Sequence, residues 1–279
     1  MAKYPKKPPV AAARERARQE ARLEAERLKA AQAAKDRRRR LISVAIGAAV
    51  VVVAAIVVIL VLQTTKTPGF AELTKPPGAT ERGSIVIGQD LKPGGEPASG
   101  DDVLVLRIYS DYMCSACGST ERRLGARVEE LAASGEVQLE INSLGFLDDV
   151  STGTAYSSTA ANAVATVAEY APDQYLAFHS KLFEQEVQTV SFSEGLTNER
   201  LAELAAEVGV PQDVTDRFAL GEFNDWVAYT TDQALNDGVG QTPAIAIGKT
   251  DSSVKFAEYA SSLDVDSALA RVRAGDSPD

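Results

Sequence analysis

Residues 109–118 read Tyr-Ser-Asp-Tyr-Met-Cys-Ser-Ala-Cys-Gly, and they hold both cysteines of a 279-residue chain. The residues on either side fix their setting. Upstream, Val103-Leu104-Val105-Leu106-Arg107-Ile108-Tyr109 is a mostly apolar run suited to a strand buried on both faces. Downstream, Leu124, Val128 and Leu131 recur at helical spacing within Glu121 to Ser134, and Gly135 supplies a stop. Val137-Gln138-Leu139-Glu140-Ile141 then alternates as a strand does. The order strand, Cys-x-x-Cys, helix, strand is a β-α-β unit with the cysteines at the start of its helix.

That placement suits redox chemistry. A thiolate attacks disulfides, and a second thiol within reach resolves the mixed disulfide. Cys114, at the helix start, would meet unpaired N–H groups and the positive end of the macrodipole, which marks it as the nucleophile. Cys117, one turn further in, would be shielded and is the resolving residue. Other uses of the pair fit less well. A zinc site needs about four Cys, His or carboxylate ligands, and the chain has two Cys and a single distant His179. A purely structural disulfide would close a loop of a few residues and remove little unfolded-state entropy.

Further outward, Ala155–Ala171, Gln174–Glu186, Asn198–Val208, Val214–Phe218 and Thr231–Asn236 read as helices. Gln241-Thr242-Pro243-Ala244-Ile245-Ala246-Ile247-Gly248 is a short buried strand opening on a proline, with Val254–Ala257 as a neighbour and Val265–Val272 as a closing helix. The Cys-Ser-Ala-Cys stretch after a hydrophobic strand, the helical insertion at about 152–237 and the late Thr242-Pro243 together resemble a DsbA-like thiol-disulfide oxidoreductase of the thioredoxin superfamily. The resemblance covers about Leu104 to Val272. It implies an α/β, thioredoxin-like fold with a helical insertion.

The resemblance also implies that Pro243 is cis and lies against the cysteine pair, and that the Thr242 backbone receives substrate as an added strand. Asp111 is either a buried proton acceptor near Cys117 or a polar residue at a strand end. His179 corresponds to a position common in the helical insertion and reads as a packing or hydrogen-bonding residue. Glu121 and Arg122 read as solvent-facing, and Trp226 as core. One departure stands out: the strongest oxidants of the family carry Pro-His between the cysteines, and this chain has Ser115-Ala116, neither of which can be a cation.

The N-terminal part differs in composition. Residues 1–40 carry 14 basic and 5 acidic residues, leaving 15 basic and 34 acidic for the rest, so a net charge of -10 describes neither part. Between them Leu41 to Leu62 is uncharged and would reach about 33 Å as a helix, enough to span a bilayer. Arg37 to Arg40 abut that run, while Lys66 is the only basic residue soon after it, so the expected orientation has residues 1–40 cytoplasmic and the rest outside the cytoplasm. There disulfides persist. Residues 63–102, punctuated by Pro-Gly, Pro-Pro-Gly and Pro-Gly-Gly, read as a spacer interrupted by one short apolar run, Ser84–Gly88, that could add a strand to the following domain at 103–279.

The expected function is disulfide formation in exported proteins that carry free thiols, without an organic cofactor and with no metal. The resemblance implies a membrane quinone-linked re-oxidising partner of the DsbB or vitamin K epoxide reductase type. The acidic exported part argues against nucleic acid. Two other readings remain: a reductase or isomerase on the same fold, and a noncatalytic tethered peptide-binding module with an inert structural disulfide.

Overall fold

A computed structural model describes residues 69–100, 102–249, 255–257 and 260–278, together with scattered positions between 18 and 57. The chain divides into two compact units, 1–66 and 67–279. Parts of the expected membrane span at 41–62, including 58–62, lie outside the described residues, and among the described residues no helix is long and apolar enough to cross a membrane.

The second unit is built on a sheet whose described strands are β1 (Ile85–Ile87), β2 (Leu104–Ser110), β3 (Val137–Ser143), β4 (Ala244–Gly248) and β5 (Lys255–Phe256), in the order β1-β3-β2-β4-β5. Strand β2 is central. It runs parallel to β3, with Leu106 opposite Leu139, and antiparallel to β4, with Leu106 opposite Ile247. A strand flanked on both sides and covered on both faces must be apolar, and Leu104, Leu106 and Tyr109 are fully buried. Arg107 is the exception. It lies opposite Glu140 in the β2–β3 register, and its Nε donates to Glu140 Oε2 at 2.6 Å, so a charge enters the sheet paired.

The segment connecting β2 to β3 is α1 (Ser115–Ala133), which buries Leu124, Val128 and Leu131 against the sheet. Gly135 takes a left-handed φ of 77° after its last turn and returns the chain to β3. Helix α1 thus begins at the cysteines, earlier than apolar spacing alone suggests.

The insertion supplies α2 (Tyr156–Tyr170), α3 (Tyr175–Lys181), α4 (Asn198–Glu207), the short α5 (Gln212–Thr215) and α6 (Asn224–Asn236). Helix α3 stops earlier than the sequence pattern suggests, giving way to turns and loop from 182 to 197. Helix α6 starts earlier and buries Trp226, whose ring stacks on Tyr229 at 6.1 Å between centroids. A terminal helix, α7 (Val265–Ala274), follows Asp264, whose carboxylate accepts from Ser267 N as an N-cap.

Residues 69–100 are not a free spacer. Strand β1 pairs antiparallel with β3, with Ile85 opposite Ile141, and Leu73 is buried in the main core. Two cross-contacts tie the segment to α6: Tyr229 Oη donates to Glu81 O at 2.5 Å, and Arg82 bonds Asp237 at 2.8 Å. The prolines and glycines shape tight turns around a strand.

Candidate active site

The end of β2 and the start of α1 make the site. Asp111, Tyr112 and Met113 form a buried turn, with Cys114 N donating to Asp111 O at 3.0 Å. Cys114 is the N-cap of α1, half-buried, with extended backbone angles. Its position faces the unpaired N–H groups of the first turn, and no side chain caps them. Cys117 lies behind it, buried, and both thiols are free.

The turn preceding β4 closes the other side. The Thr242–Pro243 bond is cis, and Cys114 Sγ donates to Thr242 O at 3.3 Å. Thr242 and Pro243 are half-buried, so both border the surface at the nucleophile. The structure thus brings Cys114, Cys117, Thr242 and Pro243 together across 128 residues of sequence separation.

The two thiols differ in acidity. A hydrogen bond from Cys117, joined by backbone N–H groups of Cys117 and Ala116 and by the Thr242 side chain, draws Cys114 down to about 6 against the upward push of burial. Burial, and then the adjacent Cys114, push Cys117 well above the usual thiol range. One proton leaves the pair readily and the second is held.

Asp111 is fully buried beneath the turn. Its Oδ1 accepts from Met113 N at 2.8 Å and from Ser157 Oγ of α2 at 2.7 Å, and its Oδ2 accepts from Leu147 N at 3.0 Å. Burial raises its pKa to about 6 despite these three donors. His179 is buried on α3, with Nδ1 2.8 Å from Tyr112 Oη, and the Tyr112 ring stacks on Phe183 at 4.9 Å.

Two polar residues near the pair escape the sequence reading. Glu121 does not face solvent: its side chain is 16% exposed, it accepts from Ser180 Oγ at 2.7 Å, and it lies 3.7 Å from His179 Nε2. Position 121 is four residues beyond Cys117 and shares its face, but the partners that cover it come from α3 and leave no mark in the spacing of α1. Arg122, although exposed, is also engaged, donating to Phe183 O and Gln188 Oε1. Gln188, in the loop after α3, donates from Nε2 to Cys114 O at 2.8 Å. A Cβ at Gly118 would overlap the Gln188 amide, so glycine opens the place where Gln188 reaches the nucleophile's backbone. No local sequence signal marks Gln188, which is 74 residues away.

This arrangement defines a thioredoxin-fold protein with a reactive and a buried cysteine at one helix start. Residues 95–264 match the family described as Thioredoxin, and the chain belongs to that family. Among solved structures it is similar to oxidised DsbA of Mycobacterium tuberculosis, with 25% identity over 70% of this chain and 94% of that one and a TM-score of 0.53. The reduced disulfide bond oxidoreductase DsbG of the same organism shares 28% identity over 62% of this chain and 79% of its own, with a TM-score of 0.50. MdbA, a thiol-disulfide oxidoreductase from Actinomyces oris, shares the fold at 24% identity, covering 75% of this chain and 93% of its own with a TM-score of 0.56. No curated protein sequence matches the chain. With that fold and those neighbours, the chain is a protein thiol-disulfide oxidoreductase.

Proposed function

We propose that the chain is a membrane-tethered enzyme that forms disulfides in exported proteins, with Cys114 as nucleophile and Cys117 as resolving residue. The observation that supports this most is the opposed acidity of the pair, drawn down to about 6 at the half-exposed Cys114 and pushed up at the buried Cys117. In the oxidised enzyme a substrate thiolate attacks Cys114 Sγ. The Cys114–Cys117 bond breaks, Cys117 leaves with the electron pair and takes a proton, and a mixed disulfide remains on Cys114. A second substrate thiolate then attacks the substrate sulfur of that bond and releases Cys114 as a thiolate. Substrate has lost two electrons and the enzyme has gained them.

Thr242 and Pro243, at the surface beside Cys114, are where an extended substrate would lie along the Thr242 backbone. Asp111, saturated by three donors, fits the anchoring of the turn better than proton exchange. Residues 41–62 would hold the enzyme in the bilayer, where a quinone-linked partner of the DsbB or vitamin K epoxide reductase type would re-oxidise it at high effective concentration. The direction of electron flow is tested by the reduction potential of the full-length protein, equilibrated against glutathione and dithiothreitol buffers. A value between about -120 and -200 mV supports disulfide formation or isomerisation, about -270 mV reverses the assignment to a reductase, and below about -300 mV without exchange sinks the redox reading.

A further inference from the structure

The loop between α3 and α4 is pinned to the nucleophile, yet it holds two large apolar side chains in solvent. Gln188 is half-buried; its Nε2 donates to Cys114 O at 2.8 Å, and its Oε1 accepts from Arg122 of α1 at 3.1 Å. A guanidinium can only donate, so Arg122 fixes which end of the amide meets the Cys114 carbonyl. Gly118 leaves the room for it, since a Cβ there would overlap the amide. Two residues of α1 thus serve a single contact with the loop.

Further along, the loop is held again. Phe192 N donates to Val150 O at 2.8 Å, and Thr154 Oγ1 donates to Glu194 O at 2.6 Å. Val150 itself is close to the cysteine turn, because Leu147 N, three residues before it, donates to Asp111 Oδ2 at 3.0 Å. Between these ties Val190 is 58% exposed and Phe192 80%. Phe192 also takes a φ of 67°, a conformation that a bulky residue adopts only under strain. A single exposed apolar residue needs no explanation. Two of them on one pinned and strained loop, two and four residues from a contact with the nucleophile, do.

We infer that this loop is a second wall of the substrate site, distinct from Thr242 and Pro243, in which Val190 and Phe192 take an apolar side chain near the substrate cysteine. Gln188 is its positioning residue, holding the wall at the Cys114 carbonyl. The inference rests on the proposed exchange reaction and adds a substrate preference to it. A chain advances at most about 3.6 Å per residue, so Val190 lies within about 7 Å of Gln188 along the backbone and Phe192 within about 14 Å. An extended substrate leaving Cys114 covers those spans in two to four residues. Residues 182–197 contain three glutamates, Glu184, Glu186 and Glu194, and no Lys or Arg. Such a wall suits a neutral or basic unfolded chain and repels the anionic headgroups of a bilayer.

The test mixes the oxidised full-length protein with either of two reduced dithiol peptides of equal length and charge, one with leucine within three residues of each cysteine and one with serine there. A peptide thiolate attacks Cys114 Sγ, the Cys114–Cys117 bond breaks, and the second peptide thiol displaces Cys114 to leave the peptide as its disulfide. Acid quenching and mass spectrometry give the rate, which is divided by the same protein's rate with reduced glutathione, a thiol without an apolar side chain. The native protein is expected to favour the leucine peptide at least about threefold, as befits a leucine that only partly leaves water. Val190→Ser combined with Phe192→Asn, whose asparagine accepts the left-handed backbone, is expected to cut that preference by half or more. Gln188→Ala is expected to do the same, and a preference it leaves unchanged overturns the anchoring. A native preference below threefold, or one that the double substitution fails to halve, overturns the wall while reduction by glutathione still upholds the exchange reaction. If sedimentation shows a native dimer that the double substitution dissolves with the peptide preference untouched, the loop serves a second copy of the chain and the inference is overturned. If neither peptide nor glutathione reduces the native disulfide, the exchange reaction itself has failed and the wall falls with it.

Discussion

Cys114 and Cys117 stand three residues apart on one helix, yet the structure pushes their acidities in opposite directions. Cys114 borders solvent at the helix N-terminus, where N–H groups and the Cys117 thiol stabilise negative charge. Cys117, one turn inward, faces the apolar side of α1, where burial and then the adjacent Cys114 both oppose a charge on it. The difference teaches that reactivity within a Cys-x-x-Cys is assigned by which residue the helix start turns outward. Substituting the cysteines singly breaks that comparison most completely. Cys114→Ser is expected to reduce exchange with a reduced test protein to background. Cys117→Ser should still attack a disulfide at Cys114 but stall there, so mixed disulfides accumulate on non-reducing gels. Equal loss in both variants without trapped species would mean that the two thiols are not divided into attacker and resolver.

Much of this comparison is readable in the sequence, because the apolar run of β2 ends directly before the cysteines and Leu124, Val128 and Leu131 then mark a helix. The pairing with Thr242 came only through resemblance, since nothing local links residues 128 positions apart. Within residues 69–100 the strand candidate Ser84–Gly88 is present as β1, but the spacer reading of the residues around it misled for a physical reason. Their prolines and glycines look like linker punctuation, but Gly78 and Gly94 take left-handed φ values of 75° and 67° in turns that flank β1, and the edge of β3 recruits that strand. Glu121 misled because a carboxylate on an amphipathic helix is normally exposed. Its burial depends on His179 and Ser180 from α3, which periodicity within α1 does not reveal.

A smaller effect, and one that measures the comparison itself, is the pH dependence of alkylation. Iodoacetamide should modify Cys114 with a rate that rises through about pH 6 and is nearly flat by neutral pH, whereas an ordinary thiol would still be rising near its value of about 8.5. Cys117 should stay unmodified over the same range while the protein is folded. The sign of the stability effect follows. Because the folded pKa of Cys114 lies below its unfolded value, the thiolate's contribution to the reduced protein is present above the unfolded value and is lost as pH falls through about 6. The raised Cys117 acts the other way, favouring the fold while it stays a thiol and withdrawing that contribution at strongly alkaline pH. A reduced protein whose melting temperature does not fall on acidification from pH 8 to 6, in a variant where Asp111→Asn removes the other group titrating near 6, would contradict the depressed thiol.

The smallest expected effect sharpens the contrast by enlarging it. Between the cysteines, Ser115 is exposed and Ala116 half-buried, and neither supplies charge to Cys114. An imidazolium at position 116 would lie within a turn of the thiolate and partly in contact with solvent. Ala116→His is therefore expected to lower the Cys114 pKa by about one unit at a pH where the imidazole is charged. Stabilising the thiolate stabilises the reduced form alone, because the disulfide carries no charge for the cation to meet. One unit corresponds to about 1.4 kcal/mol, so the reduction potential should rise by about 30 mV, towards stronger oxidation. The gain should fade as the imidazole deprotonates above pH 7. If the potential shifts equally at pH 6 and pH 9, packing of the new ring rather than its charge is responsible, and the acidity of Cys114 is not what sets the poise of the pair.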